Sequence, residues 1–168
     1  MCSPRRLATV ELTHVDATGA ARMVDVTDKN VSARTAVATG TLRTTAEVVE
    51  LLKRDGLPKG DALATARIAG IMAAKRTPDL IPLCHPIALS GVTVDLETDV
   101  DRVHIRATVR TTDRTGVEME ALTAVAVAGL ALHDMVKAVD PAAVMDGVRV
   151  ERKDGGKTGS WTRPEGRE

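Results

Sequence analysis

The chain predicts an α+β fold, one antiparallel sheet with helices packed on one face. Three observations carry this expectation. Gly91–Thr98 and Arg102–Thr112 alternate apolar and polar residues with the two-residue period of strands, and only Asp99-Val100-Asp101 separates them, a hairpin turn. Two longer segments, about 62–76 and Glu118–Val139, carry an apolar helical pattern. Two further alternating runs, Ala36–Arg43 and Gly147–Arg152, stand before and after them.

Residues 1–11 read as a flexible extension, and Leu12–Arg34, dominated by charges, Gly and small polar residues, as mostly extended or loop. Ala36–Arg43 is the first strand. Thr44 or Thr45 then N-caps the helix AEVVELLKR, and Asp55-Gly56 ends it. Leu57-Pro58 is a break, and Asp61 caps the next helix, whose Ala- and Gly-rich turns admit a close neighbour. Pro78, Pro82 and Pro86 recur every fourth residue, so Thr77–Pro86 reads as a stiff, extended connector. The hairpin strands follow, then the long helix, about 30 Å at ~1.5 Å per residue, then the last strand. Gly155, Gly156 and Gly159 introduce a mobile tail, with 162–168 outside the single domain 12–161. The order β-α-β-β-α-β is a ferredoxin-like plan.

With 168 residues the chain fits one domain with a real core. Apolar residues make up 43% and charged residues 27%, a globular balance. There is no Phe, no Tyr and one Trp, so the core is aliphatic, and a module stacking bases on aromatic rings is disfavoured. The net charge of +0 supplies no global field toward nucleic acid or membrane. Two cysteines, Cys2 and Cys84, build no disulfide framework and suit a reducing, cytoplasmic compartment. The N-terminus has arginines without a following apolar run, unlike a secretory signal. The uncharged stretch Ala121–Leu132 is shorter than the ~20 residues of a spanning helix.

Several residues carry chemistry, each against a plainer reading. Lys59 and Lys137 are solvated lysines by default. Asp134, three residues before Lys137, makes either a surface ion pair or an aspartate that orients a lysine acid or base. His85, between Cys84 and Pro86, fits a substrate-binding histidine better than a metal ligand or a nucleophilic Cys–His pair, because the metal pattern lacks a second spaced pair and adjacent residues diverge in extended chain. His14, His104 and His133 have less context. Glu118 and Glu120, flanking Met119, suit the first turn of a helix through its dipole alone. Lys157 in GGKTG imitates a P-loop but lacks its first glycine; what remains is a lysine on a glycine segment able to swing onto a phosphate. Arg22, Arg34, Arg67, Lys75 and Arg76 add cations.

The strings LTHVDATG, MVDVTDK, KGDALATARIAGIMAAKRTPDLIPLCHP, TGVEMEALTA, DMVKAV and GGKTGSW, from about Leu12 to Trp161, closely resemble the cyclic pyranopterin monophosphate synthases, the C proteins of molybdenum cofactor biosynthesis. LIPLCHP and GVEMEALTA are the most specific. The resemblance implies a lyase that converts 3',8-cyclo-7,8-dihydroguanosine 5'-triphosphate to cyclic pyranopterin monophosphate and pyrophosphate. It implies a ferredoxin-like homohexamer, a trimer of dimers with the site at the dimer interface. Asp134, Lys137 and Lys59 match the family's catalytic residues. Leu83, Cys84, His85, Met119 and Glu120 match its substrate-contacting segments, and Lys157 its mobile loop. On that footing Glu118, Arg22 and Arg76 join the binding residues, the two arginines with Lys157 at the phosphates. No redox cofactor is called for, and Mg²⁺ can accompany the triphosphate, with no protein ligand set visible. No nucleic-acid or membrane partner is expected. The open sheet face calls for cover by a second copy. Two other classes stay open on the residues alone, a nucleotide-binding regulatory module and a structural oligomerisation protein.

Overall fold

The computed structural model describes residues 15–16, 18–54, 57, 61–157 and 159–166. Lys59, Asp55-Gly56, Pro58, Cys2, His14 and the extension 1–11 lie outside them.

The elements are β1 (Ser32–Arg43), α1 (Ala46–Lys53), α2 (Ala62–Ala74), α3 (Thr77–Leu80), β2 (Leu89–Thr98), β3 (Arg102–Asp113), α4 (Glu118–Val136), β4 (Val144–Asp154) and β5 (Trp161–Thr162). All ladders are antiparallel, in the order β2-β3-β1-β4-β5. The first four strands reproduce the ferredoxin-like arrangement, and β5 adds an edge.

Local chemistry accounts for the boundaries. Thr45 caps α1, its side chain accepting from the Val48 N–H, and Asp61 caps α2 by accepting from the Ala64 N–H. In β3 the odd residues Val103, Ile105, Ala107 and Val109 are all buried, and the even ones face outward. Against that inner face lie α2 and α4, the latter touching β1, β3 and β4. They approach closely because glycine permits it. A Cβ on Gly70 of α2 would stand 2.8 Å from the Ala124 carbonyl oxygen of α4, and one on Gly40 of β1 only 2.7 Å from Val125 Cγ1. With a mean hydropathy of 1.4, α4 is long and apolar enough to cross a bilayer by composition alone. In this fold it is the core helix, with Ala121, Ala124, Val125, Ala128, Leu132 and Val136 fully enclosed.

Three expectations are corrected. Thr77–Pro86 is not extended throughout, since Thr77–Leu80 forms a helical turn with Pro78 in its first turn and the Ile81 N–H donating to the Thr77 carbonyl at 2.9 Å. Proline is tolerated in a first turn because the N–H it lacks would have no intrahelical partner there. The long helix ends at Val136 rather than Val139, with Lys137 as its C-cap. The last strand runs from Val144 to Asp154, longer than Gly147–Arg152, and Trp161-Thr162 returns to pair with Lys153 and Arg152.

The opposite sheet face is polar. Register sets Asp95, Arg106, Thr39 and Arg149 in one row across four strands, with Glu97, His104 and Thr41 in the next. A hollow of about 440 Å³ lies over them.

Candidate active site

The C-terminal half of the connector and the start of α4 meet at one end of the inner layer. Behind α3, the Cys84 N–H donates to the Ile81 carbonyl at 3.0 Å, which turns Leu83, Cys84 and His85 toward α4. His85 Nε2 donates to the Val24 carbonyl at 2.8 Å, tying this segment to the loop before β1. The carbonyl can only accept, so the proton sits on Nε2. The result is a cavity of about 370 Å³ bordered by Val24, Lys29, Cys84, His85, Glu118, Met119 and Glu120, with Leu83 on its wall.

Glu120 is the chemically unusual group. It is 2% exposed, and its Oε2 has no hydrogen-bond partner. Burial, with the charge of Glu118 adding to it, pushes its carboxyl up to about 7. The Cys84 thiol is also pushed up, by burial first and by Glu120 second. It therefore stays a thiol near neutrality and is a poor nucleophile. Glu118 borders the same cavity from a different side of the helix, as residues two apart do. It pairs with Lys153 of β4 at 3.0 Å.

A second cavity of about 730 Å³ shares Lys29, Thr115 and Gly116 with the first. Its walls carry Lys29, Arg34, Arg114 and Lys157 against the single acid Asp28. The arginines are locked in place. Arg34 Nε donates to the Asp113 carbonyl at 2.9 Å and its Nη2 to the Arg114 carbonyl at 3.0 Å, while Arg114 Nε donates to the Lys29 carbonyl at 3.1 Å. The loop bearing Lys157 lies on β1 through Gly155 and Gly156, with φ of 94° and 76°. A Cβ on Gly156 would run into the Arg34 guanidinium. One end of the continuous cleft thus offers a neutral-leaning acid, an imidazole and a thiol, and the other a cluster of cations suited to phosphate oxygens.

The sequence-predicted residues divide between this cleft and other places. Leu83, Cys84, His85, Glu118, Met119 and Glu120 converge on the first cavity and Lys157 on the second. Arg22 and Arg76 border neither, and Arg76 sits instead between α2 and α3. Asp134 and Lys137 do pair, at 2.7 Å, with both side chains about half exposed. They lie at the far end of α4, Asp134 being roughly 21 Å from Glu120 at the helical rise of ~1.5 Å per residue. Among the described residues no cluster of three or more His, Cys, Asp or Glu gathers as metal ligands. Sequence reasoning missed Lys29 and Arg114 as site residues. Lys29 ends the string MVDVTDK and Arg114 immediately precedes TGVEMEALTA, so adjacency to those motifs was the available signal.

Comparison with known proteins places the chain in one family. The profile of the MoaC family matches residues 23–156. A cyclic pyranopterin monophosphate synthase of Streptomyces coelicolor is 69% identical over 152 residues, covering 90% of this chain and 89% of that protein. One from a Nocardioides species is 65% identical over 165 residues, covering 96% and 98%. Cyclic pyranopterin monophosphate synthase 2 of Mycobacterium bovis is 65% identical over 153 residues, covering 91% and 92%. Matching strings, an antiparallel sheet with a cleft at the start of its core helix, and relatives of this identity along nearly the full length lead to one conclusion: the chain is an enzyme of the MoaC family.

Proposed function

We propose that the chain acts in molybdenum cofactor biosynthesis as a cyclic pyranopterin monophosphate synthase. It converts 3',8-cyclo-7,8-dihydroguanosine 5'-triphosphate to cyclic pyranopterin monophosphate with release of pyrophosphate. The observation that carries this reading is the cleft of two joined cavities with opposite character. The guanine-derived rings fit the end with Cys84, His85 and Glu120, where an imidazole and a carboxyl can bind ring nitrogens and oxygens. The triphosphate fits the end with Lys29, Arg34, Arg114 and Lys157, whose charges offset its own.

The reaction opens the guanine-derived ring, rebuilds it as a pyranopterin and closes a cyclic phosphate. That requires proton transfers, for which Lys137, oriented by Asp134, and Lys59 are the acid–base groups of this reading. The roughly 21 Å between Asp134 and Glu120 on one helix supports a site completed by a second subunit, whose Lys137 end meets this cleft across a two-fold axis. A homohexamer built as a trimer of dimers, with the site at the dimer interface, satisfies that requirement. The reading calls for no redox cofactor, treats Mg²⁺ as a companion of the triphosphate, and places the enzyme in the cytoplasm without nucleic-acid or membrane partners.

The test is anaerobic incubation of the purified protein with the cyclo-dihydro-GTP intermediate, following pyrophosphate and, after oxidation, pterin fluorescence. Formation of both products is expected. Tight binding without product would instead mark a regulatory nucleotide module.

A further inference from the structure

Two carboxyl groups of one helical turn border the deep cavity, and their surroundings differ sharply. Glu118 lies beside the Thr115-Gly116 turn and pairs with Lys153 at 3.0 Å, where both side chains are about one-third exposed. Its carboxylate folds back so tightly that a Cβ on Gly116 would overlap its Oε2. Any other residue at 116 would displace that carboxylate from its present place. Glu120 is enclosed, and its Oε2 is unpartnered. An ionised carboxylate with an empty acceptor in such a place lacks compensation, whereas a protonated carboxyl becomes a donor for whatever fills the cavity.

We propose that Lys153 of β4 is a positioning residue of this site: it pins Glu118 over Gly116 as a fixed carboxylate, leaving Glu120 as the neutral carboxyl that donates a hydrogen bond to the bound heterocycle. The proposal deepens the functional reading above and rests on it for the identity of the heterocycle alone. Lys153 itself borders a small outer cavity of about 120 Å³, with Arg34, Glu118 and Asp154, and not the deep one. It acts on the site through Glu118. The division of labour has a general logic, in which neighbouring carboxyls take opposite roles when their environments separate their proton affinities. Here burial holds the proton on Glu120, and the like charge of Glu118 reinforces it. Titratable and charged groups from several elements surround Glu120. Cys84 and His85 come from the connector, Lys29 from the loop before β1, Glu118 from its own helix, and Lys153 from β4 behind Glu118. Among them the Glu118 charge is the one that Lys153 controls.

Infrared titration of the protonated-carboxyl stretch in the full, substrate-free protein tests this directly. The wild type should show a band, absent in E120Q, that disappears with a midpoint of about 7. In E118Q the midpoint should fall, yet stay above the ordinary carboxylate range, because burial is the larger cause. K153M should displace the midpoint as well, K153R should restore it, and the E118Q/K153M double variant should match E118Q alone, since Lys153 works only through that carboxylate. In turnover, K153M should lower kcat with little change in KM, and K153R should recover it. Absence of a band removable by E120Q would overturn the donor role. Additive shifts in the double variant would overturn the positioning role. If the wild type made no product, the infrared outcome would still decide the carboxyl assignment while the activity reading failed.

Discussion

The two ends of α4 are built from similar residues and placed in opposite environments. At its start, Glu120 is almost fully enclosed against Cys84 and the loop before β1; at its end, Asp134 and Lys137 form an ion pair open to water. A half-exposed pair has little electrostatic leverage while water surrounds it, because screening and side-chain entropy absorb most of the attraction. A buried carboxyl has leverage already. The contrast teaches that α4 carries an enclosed carboxyl beside a cleft at one end and, about four turns away, an ion pair open to water; on the function proposed above, that pair becomes potent only when something excludes water from it. In the proposed assembly a second subunit is the source of that exclusion.

The largest effect that can break this comparison is catalytic. Lys137→Ala should lower turnover by roughly 10²–10⁴-fold, and Glu120→Gln should also impair it. If the two ends serve one site across a two-fold axis, mixing the inactive variants after dissociation should restore activity. Random pairing regenerates intact sites at about a quarter of the wild-type level. Mixed assemblies that stayed inactive, alongside active wild type treated identically, would place both ends in separate sites.

The fold was largely legible because strands announce themselves by alternation. Arg102–Thr112 in the sequence is Arg102–Asp113 in the structure, and its odd residues are the buried ones. The helices were legible through Ala and Gly at the close contact of α2 and α4. The Thr77 turn was hidden because a proline-rich segment reads as extended until one knows which proline occupies the first turn of a helix. The site was legible in part. LCHP and GVEME stood out as strings, but nothing local says that Glu120 is enclosed. An acid in a first helical turn is ordinarily solvated, and this one is covered by residues tens of positions away in the chain. The cation cluster was hidden for the same reason, since the Arg114 side chain reaches the Lys29 carbonyl across 85 residues.

Glu120 holds its proton to about 7 in the folded protein, against 4.5 for a free glutamate. The folded state therefore binds more protons than the unfolded state between those values, and stability falls as pH rises through that window. A shift of this size corresponds to about 3 kcal/mol. Glu120→Gln removes the dependence, so its stability relative to wild type should improve by up to that amount between acidic and mildly alkaline pH. Urea unfolding at fixed protein concentration is the measurement, and parallel pH profiles for the two proteins would contradict the enclosed, proton-holding carboxyl.

A smaller effect concerns the cationic half of the cleft. Lys29→Ala and Lys157→Ala each remove a cation bordering the larger cavity. Loss of one charge-assisted contact to phosphate, worth ~1.5–3 kcal/mol, should raise KM for the triphosphate about tenfold or more, and the penalty should shrink as salt screens the charges. Equal loss against a substrate lacking the β- and γ-phosphates would show that these lysines do not read the triphosphate.

The smallest expected effect is the most discriminating at the open end of α4. The Asp134–Lys137 pair is half exposed and sits where the helix stops, with the Lys137 N–H donating to the His133 carbonyl whatever its side chain. Truncating that side chain in the subunit should change stability by less than about 1 kcal/mol, the range of exposed ion pairs. Lys137→Ala should then unfold almost as the wild type does while its turnover collapses. That dissociation of stability from activity is what a lysine waiting for a second subunit predicts. A lysine that mattered only to the architecture of α4 would lose both together. Unfolding curves and turnover measured on the same preparation separate the two cases, and a drop of several kcal/mol alongside the lost activity would remove Lys137 from the chemistry.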